Sequence, residues 1–371
     1  MKRVLSLLLT VLLLCACSVP AFAARKSGLS FGEDGKFSIL VATDMHEEYP
    51  MDNAETAFLH EAVEYVQPDI VVLDGDNMVC KGTQIYDQLL EPFVSADVPF
   101  TLVFGNHDRE TSDLTREQQL EQYKRVGGDL CLAYDAVPEL SGCGTHNLPV
   151  LSSDGSRVAF NLWMFDSGDY SDKGYDRVHK DQIDWYRETS ETLERENGGK
   201  VPSMAFQHII VKQVFDAVYK PAANADGAFR TFDDGTAFSG KINRRAYEGC
   251  LRETPCPSYY DDGQWAAFAQ RGDVLGCVTG HDHRNSFVVK YDGVDMIQTA
   301  SAGHRAYGDV LSRSVRVITI DENDPWQYET HNVYESDLGM RAQSKIPAAT
   351  IIPHFVYAIL RRITVLIDIF F

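Results

Sequence analysis

The sequence is short of basic residues. Its 371 residues include 34 Lys and Arg against 54 Asp and Glu, which gives a formal net charge of −20 at pH 7. A chain this acidic repels nucleic acid and other phosphate-rich surfaces, except where bound metal ions reverse the local field. The composition therefore argues against a nucleic-acid-binding protein, and no nucleic-acid partner is expected.

Other features are also absent. The chain has no Cys-x-x-Cys pair, so a structural zinc site with that spacing is not expected. It has no internal repeat and no low-complexity linker that would separate two domains. With 44% hydrophobic and 24% charged residues, the chain has the composition of a globular protein with a sizeable core.

Residues 1–23 have the pattern of a secretory signal peptide. Lys2 and Arg3 precede an apolar run from Val4 to Cys15, and Ala21-Phe22-Ala23 matches a small-residue cleavage site. Cleavage there would remove two of the 34 basic residues and no acidic one, so 32 would remain against 54 and the formal charge would be −22. The expected location is therefore extracytoplasmic, either secreted or in the cell envelope.

The cysteines leave two questions open. Leu14-Cys15-Ala16-Cys17 loosely resembles a bacterial lipobox, so lipid attachment at Cys17 is an alternative to signal cleavage. The six cysteines that follow permit disulfides in an exported chain. The candidate pairs are Cys250 with Cys256 first and Cys131 with Cys143 second.

Short apolar, β-rich runs recur from Lys36 onward, and several stop at a polar residue able to bind a metal. These runs are Phe37 to Thr43 before Asp44, Ile70 to Leu73 before Asp74-Gly75-Asp76, Pro99 to Phe104 before Gly105-Asn106-His107-Asp108, Val201 to Phe206 before His208, and Val274 to Thr279 before Gly280-His281-Asp282-His283. Helix-like segments separate the first three, as at Asn53 to Val66, where Asp52 and Glu55 have the spacing of a capping box. This order predicts a parallel sheet that collects the polar residues at its carboxyl edge.

After Arg157 the apolar runs lie closer together and predict a second, more antiparallel sheet packed on the first. These runs are Arg157 to Phe165, Ser286 to Tyr291, Val294 to Thr299 and Ser314 to Ile320. The stretch from Ala222 to Pro257 lacks clear periodicity and is interpreted as a long functional loop near the mouth of the site. We divide the chain into a signal peptide (1–23), one catalytic domain (24–335) and a C-terminal tail (336–371).

The polar residues at the strand ends have the chemistry of a two-metal site. Two divalent ions ~3.5–4 Å apart need a bridging carboxylate together with nitrogen and oxygen ligands from several directions. The candidate ligands are Asp44, His46, Asp76, Asn106, His208, His281 and His283. These residue types favour zinc, manganese or iron over calcium, which prefers oxygen ligands. Each motif alone is common in turns and cores, but their combination in one chain is rare.

In these motifs the sequence resembles the calcineurin-like metallophosphoesterases, over roughly Lys36 to Ile320. It looks closest to the short, single-domain purple-acid-phosphatase-like branch known from plants and fungi. The segments that support this branch are Ala205 to His208, Arg271 to Val274 and Gly303 to Gly308. The resemblance implies an α/β fold of four layers, a sandwich in which two mixed sheets face each other and helices cover both.

The resemblance also divides the ligands between two metal ions, divalent or of mixed valence, of manganese, zinc or iron. The implied ligands of the first ion are Asp44, His46, Asp76 and His283. The implied ligands of the second are Asp76, Asn106, His208 and His281, so Asp76 is the bridge. True purple enzymes have a Tyr three residues after the bridging Asp, where this chain has Val79. We therefore expect no tyrosinate charge-transfer colour.

The implied reaction is hydrolysis of small phosphate mono- or diesters, in which a hydroxide shared by the two ions attacks phosphorus in line. By the same resemblance His107 is the general acid that protonates the leaving oxygen. Asp108 either orients the His107 imidazole or caps the following turn. His304, Arg305 and Tyr307 are candidates to contact the substrate, or are structural residues of a Gly-bounded loop.

Two other functions stay open. A nuclease of the same superfamily is disfavoured by the acidic charge, and a catalytically silent envelope protein that binds metal or phosphate is disfavoured by the complete ligand set. The apolar tail from Ile346 to Phe371 is interrupted by charge, and a central Arg costs roughly 2.5–3.5 kcal/mol on insertion scales, so a simple membrane span is not expected. Its polar residues recur at helical spacing and predict an amphipathic helix, which lies in a membrane interface or docks on the catalytic domain.

Overall fold

A computed structural model describes residues 28–221, 228–231, 237–308 and 312–340. The signal peptide, the lipobox at Cys17 and the tail helix beginning at Ile346 lie outside these residues. Among the residues described, no helix has the length and apolar character needed to cross a membrane.

The strands of the described residues are short. In chain order they are β1 (Lys36–Ala42), β2 (Ile70–Asp74), β3 (Phe100–Val103), β4 (His146–Leu151), β5 (Val158–Met164), β6 (Tyr170–Ser171), β7 (Gly174–Tyr175), β8 (Ser203–Phe206), β9 (Tyr219–Pro221), β10 (Ala228–Thr231), β11 (Ala237–Ile242), β12 (Tyr247–Cys250), β13 (Val274–Thr279), β14 (Ser286–Tyr291), β15 (Val294–Gln298), β16 (Ser314–Asp321) and β17 (Tyr328–Tyr334). The α-helices are α1 (Asn53–Val66), α2 (Gln84–Ser95), α3 (Arg116–Gly127), α4 (Lys180–Asn197), α5 (Val214–Val218) and α6 (Gln264–Arg271). A single 3₁₀ turn at Gly128–Leu130 follows α3.

The first sheet has the strand order β17-β16-β1-β2-β3. Strands β1, β2 and β3 are parallel, as predicted from their alternation with helices. Strands β16 and β17 extend the sheet in antiparallel pairing beside β1. The prediction that Ser314 to Ile320 belongs to the second sheet is therefore wrong. Apolar alternation identifies a strand, but it does not identify the partner strand.

The second sheet has the order β12-β14-β15-β13-β8-β5-β4 and is mixed. Strands β5, β8, β13 and β15 are parallel in its centre, with antiparallel strands on both sides. The stretch from Ala222 to Pro257, predicted to be a loop, contains β10, β11 and β12, and β12 pairs with β14 at the edge of this sheet. Strands β10, β11 and β12 are short and lack long apolar runs, so the sequence pattern did not predict them.

The core lies in three layers because every strand presents alternate side chains to opposite faces. From β1, Phe37, Ile39 and Val41 enter the core between the two sheets. Leu40 and Ala42 point the other way, into the core under α1, α2 and α3. Helices α4 and α6 cover the outer face of the second sheet. The described residues thus form the four-layer α-β-β-α sandwich that was predicted.

Helix α1 has the predicted bounds, but its start differs from the prediction. The side chain of Asp52 caps the helix by accepting a hydrogen bond from the Ala54 amide at 2.8 Å. Glu55 does not complete a capping box, because its carboxylate is fully buried and lies 2.6 Å from His304 Nδ1. Residue spacing correctly predicted that Asp52 caps the helix. It did not predict that Glu55 contacts His304, which is far away in the sequence.

The predicted disulfides are not present among the described residues. Cys131 and Cys143 are free thiols, and Cys143 is buried. Cys256 donates its thiol proton to the carbonyl of Thr254 at 3.4 Å, so it is not bonded to Cys250. Sequence spacing alone does not establish the side-chain approach that a disulfide requires.

Candidate active site

The carboxyl ends of the parallel strands meet at one edge, as expected, and bring the candidate ligands together. Ligand atoms in each of two groups lie within 4.8 Å of one another; the groups are Asp44, His46, Asp76 and His283, and Asp76, His208 and His281. Asp76 belongs to both groups. Apart from the amide Asn106, the members of the two groups are those that the family resemblance assigns to the two metal ions.

The distances place Asp76 at the centre. His208 Nε2 lies 3.0 Å from Asp76 Oδ2, and His46 Nε2 lies 3.4 Å from the same oxygen. Asp44 Oδ1 lies 3.3 Å from His283 Nε2 and 3.7 Å from His208 Nε2. Five side chains, three imidazoles and two carboxylates, therefore face a common space, across spacings that a cation can bridge.

Asn106 joins the same site through its loop. The backbone amide of the next residue, His107, donates to Asp76 Oδ1 at 2.7 Å. The Asn106 side chain is 1% exposed, and its Oδ1 has no hydrogen-bond partner. Its Nδ2 donates to the hydroxyl of Tyr170 at 3.1 Å, which leaves the carbonyl oxygen as the atom available to a metal.

Unpartnered polar atoms are concentrated here, and they provide a test of whether a metal pair fits. Buried atoms without a hydrogen-bond partner include Asp44 Oδ1, His46 Nε2, Asp76 Oδ2, Asn106 Oδ1, His208 Nε2 and His281 Nε2. Approaches of 3.0–3.7 Å between histidine and aspartate side chains offset part of the cost of burying these atoms, which is about 1–3 kcal/mol for each buried polar atom left unpaired. All six are lone-pair donors of the kind that divalent cations bind, so the residues fit a metal pair.

The ligand backbones are held in an unfavourable conformation. Asp44, His46, Asp76 and His281 all have left-handed φ angles, of 54°, 49°, 50° and 74°. For residues other than glycine this conformation costs about 1–3 kcal/mol each, and it persists where the surrounding structure enforces it, often at functional sites. The turns after β1, β2 and β13 are therefore shaped to direct side chains into the site.

The glycines of the motifs allow the ligand loops to approach closely. A Cβ at Gly75, whose φ is +89°, would lie 2.6 Å from His208 Nδ1. A Cβ at Gly105 would overlap the carboxylate of Asp76. Both glycines are thus required because ligand side chains occupy the space that a Cβ would fill.

Hydrogen bonds to backbone carbonyls orient two of the histidines. His208 Nδ1 donates to the Asp74 carbonyl at 2.8 Å, and His283 Nδ1 donates to the Tyr307 carbonyl at 2.7 Å. Each bond selects the tautomer whose Nε2 carries a lone pair directed into the site, an arrangement common around metal-binding histidines.

The charges of the site are strongly coupled. Burial opposes ionisation of Asp76, but His208 and His46 outweigh it and hold its pKa well below the usual range. Burial likewise opposes the charge of His208, while Asp76 and Asp44 raise its pKa to about 10. Burial and the neighbouring His208 lower the pKa of His281 to about 3. A metal ion would take the place of the proton on His208, since a ligand imidazole must be neutral.

His107 lies at the site, but its partner is not the predicted one. Its ring is 5.0 Å from the His46 ring, and its Nδ1 makes a short contact with the Glu110 carboxylate. The carboxylate of Asp108 points away from the imidazole and accepts backbone hydrogen bonds at 2.8–3.2 Å from Gly105, Asp76, Asn77 and Met78. Asp108 therefore fastens two ligand loops together, and the expectation that it orients His107 is not met.

Arg116, at the start of α3, was missed by the sequence analysis. Its guanidinium donates to both oxygens of buried Asp166 at 2.5 and 2.6 Å and to the carbonyl of Gly105 at 2.8 Å. It also pairs with Asp169. This clamp holds the loop that carries Asn106. No sequence motif predicts these contacts, because the partners of Arg116 lie 11 to 53 residues away along the chain.

In the Gly-bounded loop from Gly303 to Gly308, not all of the three predicted substrate contacts face the site. His304 is buried between the carboxylates of Glu55 and Glu335, which leaves it unavailable to a substrate. Arg305 pairs with Glu47 at 3.1 Å and donates to the Pro50 carbonyl at 2.7 Å. These contacts anchor the loop. Of the three candidate substrate contacts, only Tyr307 presents a largely exposed side chain.

The chain is similar to known proteins from several organisms. It is 29% identical over 358 residues to the protein of Arabidopsis thaliana named probable inactive purple acid phosphatase 14, covering 85% of this chain and 83% of that protein. It is 27% identical over 358 residues to probable inactive purple acid phosphatase 29 of the same plant, covering 86% and 85%. A solved dimetal phosphatase of Danio rerio aligns with a TM-score of 0.46 at 12% identity, covering 80% of this chain and 98% of that one.

A sequence profile of the family described as calcineurin-like phosphoesterase matches residues 37–285. This match spans more than half of the 371 residues and contains every candidate metal ligand. The chain belongs to the calcineurin-like phosphoesterase family.

Proposed function

We propose that this protein is an exported metal-dependent hydrolase of small phosphate mono- or diesters. The observation that carries the proposal is the convergence of the candidate ligands, with their unpartnered lone pairs, around Asp76. A bound pair of divalent cations supplies a water of lowered pKa and a concentration of positive charge that attracts phosphate. That local charge is what admits an anionic substrate to a protein with a net charge of −20.

The chain's own residues perform the remaining steps. His107 lies beside the ligand histidines with its side chain 31% exposed, so it is accessible from the solvent side of the site. We propose that His107 donates the proton to the leaving oxygen. Glu110 contacts its Nδ1 and so fixes the orientation of the ring, which leaves Nε2 as the atom that faces the substrate.

The names of the two plant relatives favour a second possibility, a protein that binds metal or phosphate without turnover. In this chain both halves of the ligand set are complete, and His107 adjoins them. These features support catalysis. A nuclease is the weaker alternative because the acidic charge disfavours nucleic acid. Secretion or retention in the envelope rests on the signal-like pattern of residues 1–23.

Activity against para-nitrophenyl phosphate and bis(para-nitrophenyl) phosphate tests the proposal. The assay compares metal-free protein with protein loaded with manganese, zinc or iron, and metal content is measured on the same samples. Metal-dependent turnover of either ester supports the hydrolase, and the ratio between the two esters separates mono- from diesterase. Two bound metals with no turnover of either ester would identify the silent binding protein instead.

A further inference from the structure

Two exposed tyrosines contact the ligands from different halves of the site. Tyr170 is 49% exposed and accepts a hydrogen bond from Asn106, while Tyr307 is 60% exposed and packs on His283. Large hydrophobic side chains this exposed are few among the described residues. Exposed aromatic surface beside a reactive centre marks a place where a ligand is bound.

The ring of Tyr307 stacks on the imidazole of His283, one of the candidate metal ligands. The rings of Tyr307 and His283 are 4.1 Å apart between centroids and inclined by only 9°. The Tyr307 carbonyl also accepts the hydrogen bond from His283 Nδ1. One face of the Tyr307 ring is therefore covered by His283, and the exposed remainder of the ring is available to a substrate.

Tyr170 belongs to a short hairpin at the opposite half of the site. It stands opposite Tyr175 in the β6–β7 pair, and their rings stack at 5.7 Å with an angle of 29°. Tyr175 in turn contacts the ring of His281 edge-on at 4.3 Å. The hairpin thus connects an exposed aromatic ring to two ligands, Asn106 and His281.

Both tyrosines are held by contacts outside the site. The hairpin is fastened where Ser258 donates to the Tyr175 carbonyl at 2.8 Å and Tyr260 donates to Asp172 at 2.8 Å. The loop of Tyr307 is fastened by His304 between its two glutamates. Rings fixed in advance lose little conformational entropy when a ligand stacks on them.

We propose that Tyr170 and Tyr307 form a subsite for the leaving group and select phosphoesters whose leaving group carries a planar ring. The proposal rests on the proposed function, since the phosphate must lie at the metal ligands for its organic part to reach the tyrosines. Tyrosine faces interact best with flat π systems, which stack on them, and base–aromatic stacking changes affinity by roughly tenfold per base.

Adenosine 5′-monophosphate and ribose 5-phosphate are suitable probes because they share the phosphoester and the sugar and differ by the base. Their dissociation constants are measured by calorimetry on manganese-loaded protein carrying His107→Ala, which slows consumption of the ligand. We expect the nucleotide to bind about tenfold more tightly than the sugar phosphate, equivalent to ~1.4 kcal/mol.

The tyrosine variants then identify the source of that preference. Tyr170→Ala and Tyr307→Ala should each bring the tenfold ratio substantially toward one, while Tyr170→Phe and Tyr307→Phe, which keep the ring, should preserve it. Tyr65→Ala removes a ring that is 62% exposed on α1 and should leave the ratio unchanged. Equal binding of the two probes, or a ratio that both alanine variants leave intact, would overturn the subsite.

Turnover of both probes by the wild-type protein separates this proposal from the proposed function. Hydrolysis of both with equal affinities would refute the subsite and leave the hydrolase standing. A preserved binding preference with no hydrolysis of these probes or of either para-nitrophenyl ester would refute the hydrolase and leave the aromatic binding site standing.

Discussion

Asp76 is the residue on which both halves of the metal site depend. One carboxylate oxygen faces His46 and His208, and the other accepts the amide of His107. Its left-handed φ of 50° shows that the turn after β2 is bent to present it. A carboxylate shared in this way would hold two cations close together, as a two-metal mechanism requires.

Asp76→Asn should reduce bound metal from two ions per chain to one or none and lower phosphatase activity at least a hundredfold. The amide lacks the negative charge that two cations share, although it fills the same volume. Metal content by plasma mass spectrometry and turnover of para-nitrophenyl phosphate provide the measurements. Asp97→Asn is the control, because Asp97 also has a left-handed φ, of 57°, but lies at the exposed end of α2. Full metal content in Asp76→Asn would refute the shared ligand.

Substitutions of His107 and Glu110 should slow the hydrolysis of phosphoesters to different extents, depending on the leaving group. General acid catalysis contributes roughly 10²–10⁴-fold, and it matters most when the leaving oxygen is strongly basic. His107→Ala should therefore reduce hydrolysis of an alkyl phosphate about a hundredfold or more, and that of para-nitrophenyl phosphate far less. Glu110→Gln should show the same pattern more weakly. Equal losses on the two substrates in His107→Ala would mean that this residue does not donate the proton.

The elements of the fold position the site through the ends of the strands. Strands β1, β2, β3, β8 and β13 each end one or two residues before a ligand or its loop. Helix α3 adds the Arg116 clamp, which bonds the loop after β3 to Asp166 after β5. The clamp therefore links a loop of the first sheet to a loop of the second.

Arg116→Gln should destabilise the protein by about 3–5 kcal/mol, because it leaves Asp166 charged and buried without its partner. We expect weaker retention of the metal held by Asn106 as well. Chemical denaturation gives the free energy of unfolding, and metal titration gives the affinity. Arg125→Gln, on the same helix but in an exposed pair with Asp87, should change stability by less than about 1 kcal/mol. Similar losses in both variants would contradict the clamp.

The sequence predicted the elements that long apolar runs define. Helix α1, β13 and β14 have the predicted bounds, and the ligands stand at the ends of predicted strands. It did not predict that β16 joins the first sheet, because pairing depends on tertiary packing. The partners of Asp108 and Glu55 were also missed, since a carboxylate beside a turn bonds equally well to a local amide or a distant group.

His146 links the two sheets of the molecule. It lies on β4 in the second sheet, and its Nε2 is 2.8 Å from the Thr101 hydroxyl on β3 in the first. Its Nδ1 donates to the Gly144 carbonyl at 2.7 Å. Complete burial disfavours the charged ring and lowers the pKa of His146 to about 4.

The depressed pKa of His146 makes stability dependent on pH. The unfolded chain binds the proton at the ordinary pKa of about 6.5 and the folded chain only near 4, so the stabilisation is present above 6.5 and is lost as the pH falls toward 4. The loss is at most about 3 kcal/mol. Urea denaturation at pH 7.5 and 5 should show a smaller difference for His146→Gln than for the wild type, and no such reduction for exposed His60→Gln. An unchanged difference in His146→Gln would exclude this histidine as the source.

We infer that side chains from both sheets hold a pair of neighbouring cations around Asp76. Anomalous diffraction from crystals grown with manganese is the decisive test of this inference. We predict two peaks ~3.5–4 Å apart, one bonded to Asp44, His46, Asp76 and His283 and the other to Asp76, Asn106, His208 and His281. A single peak, or two peaks that do not share Asp76, would rule out the two-metal site.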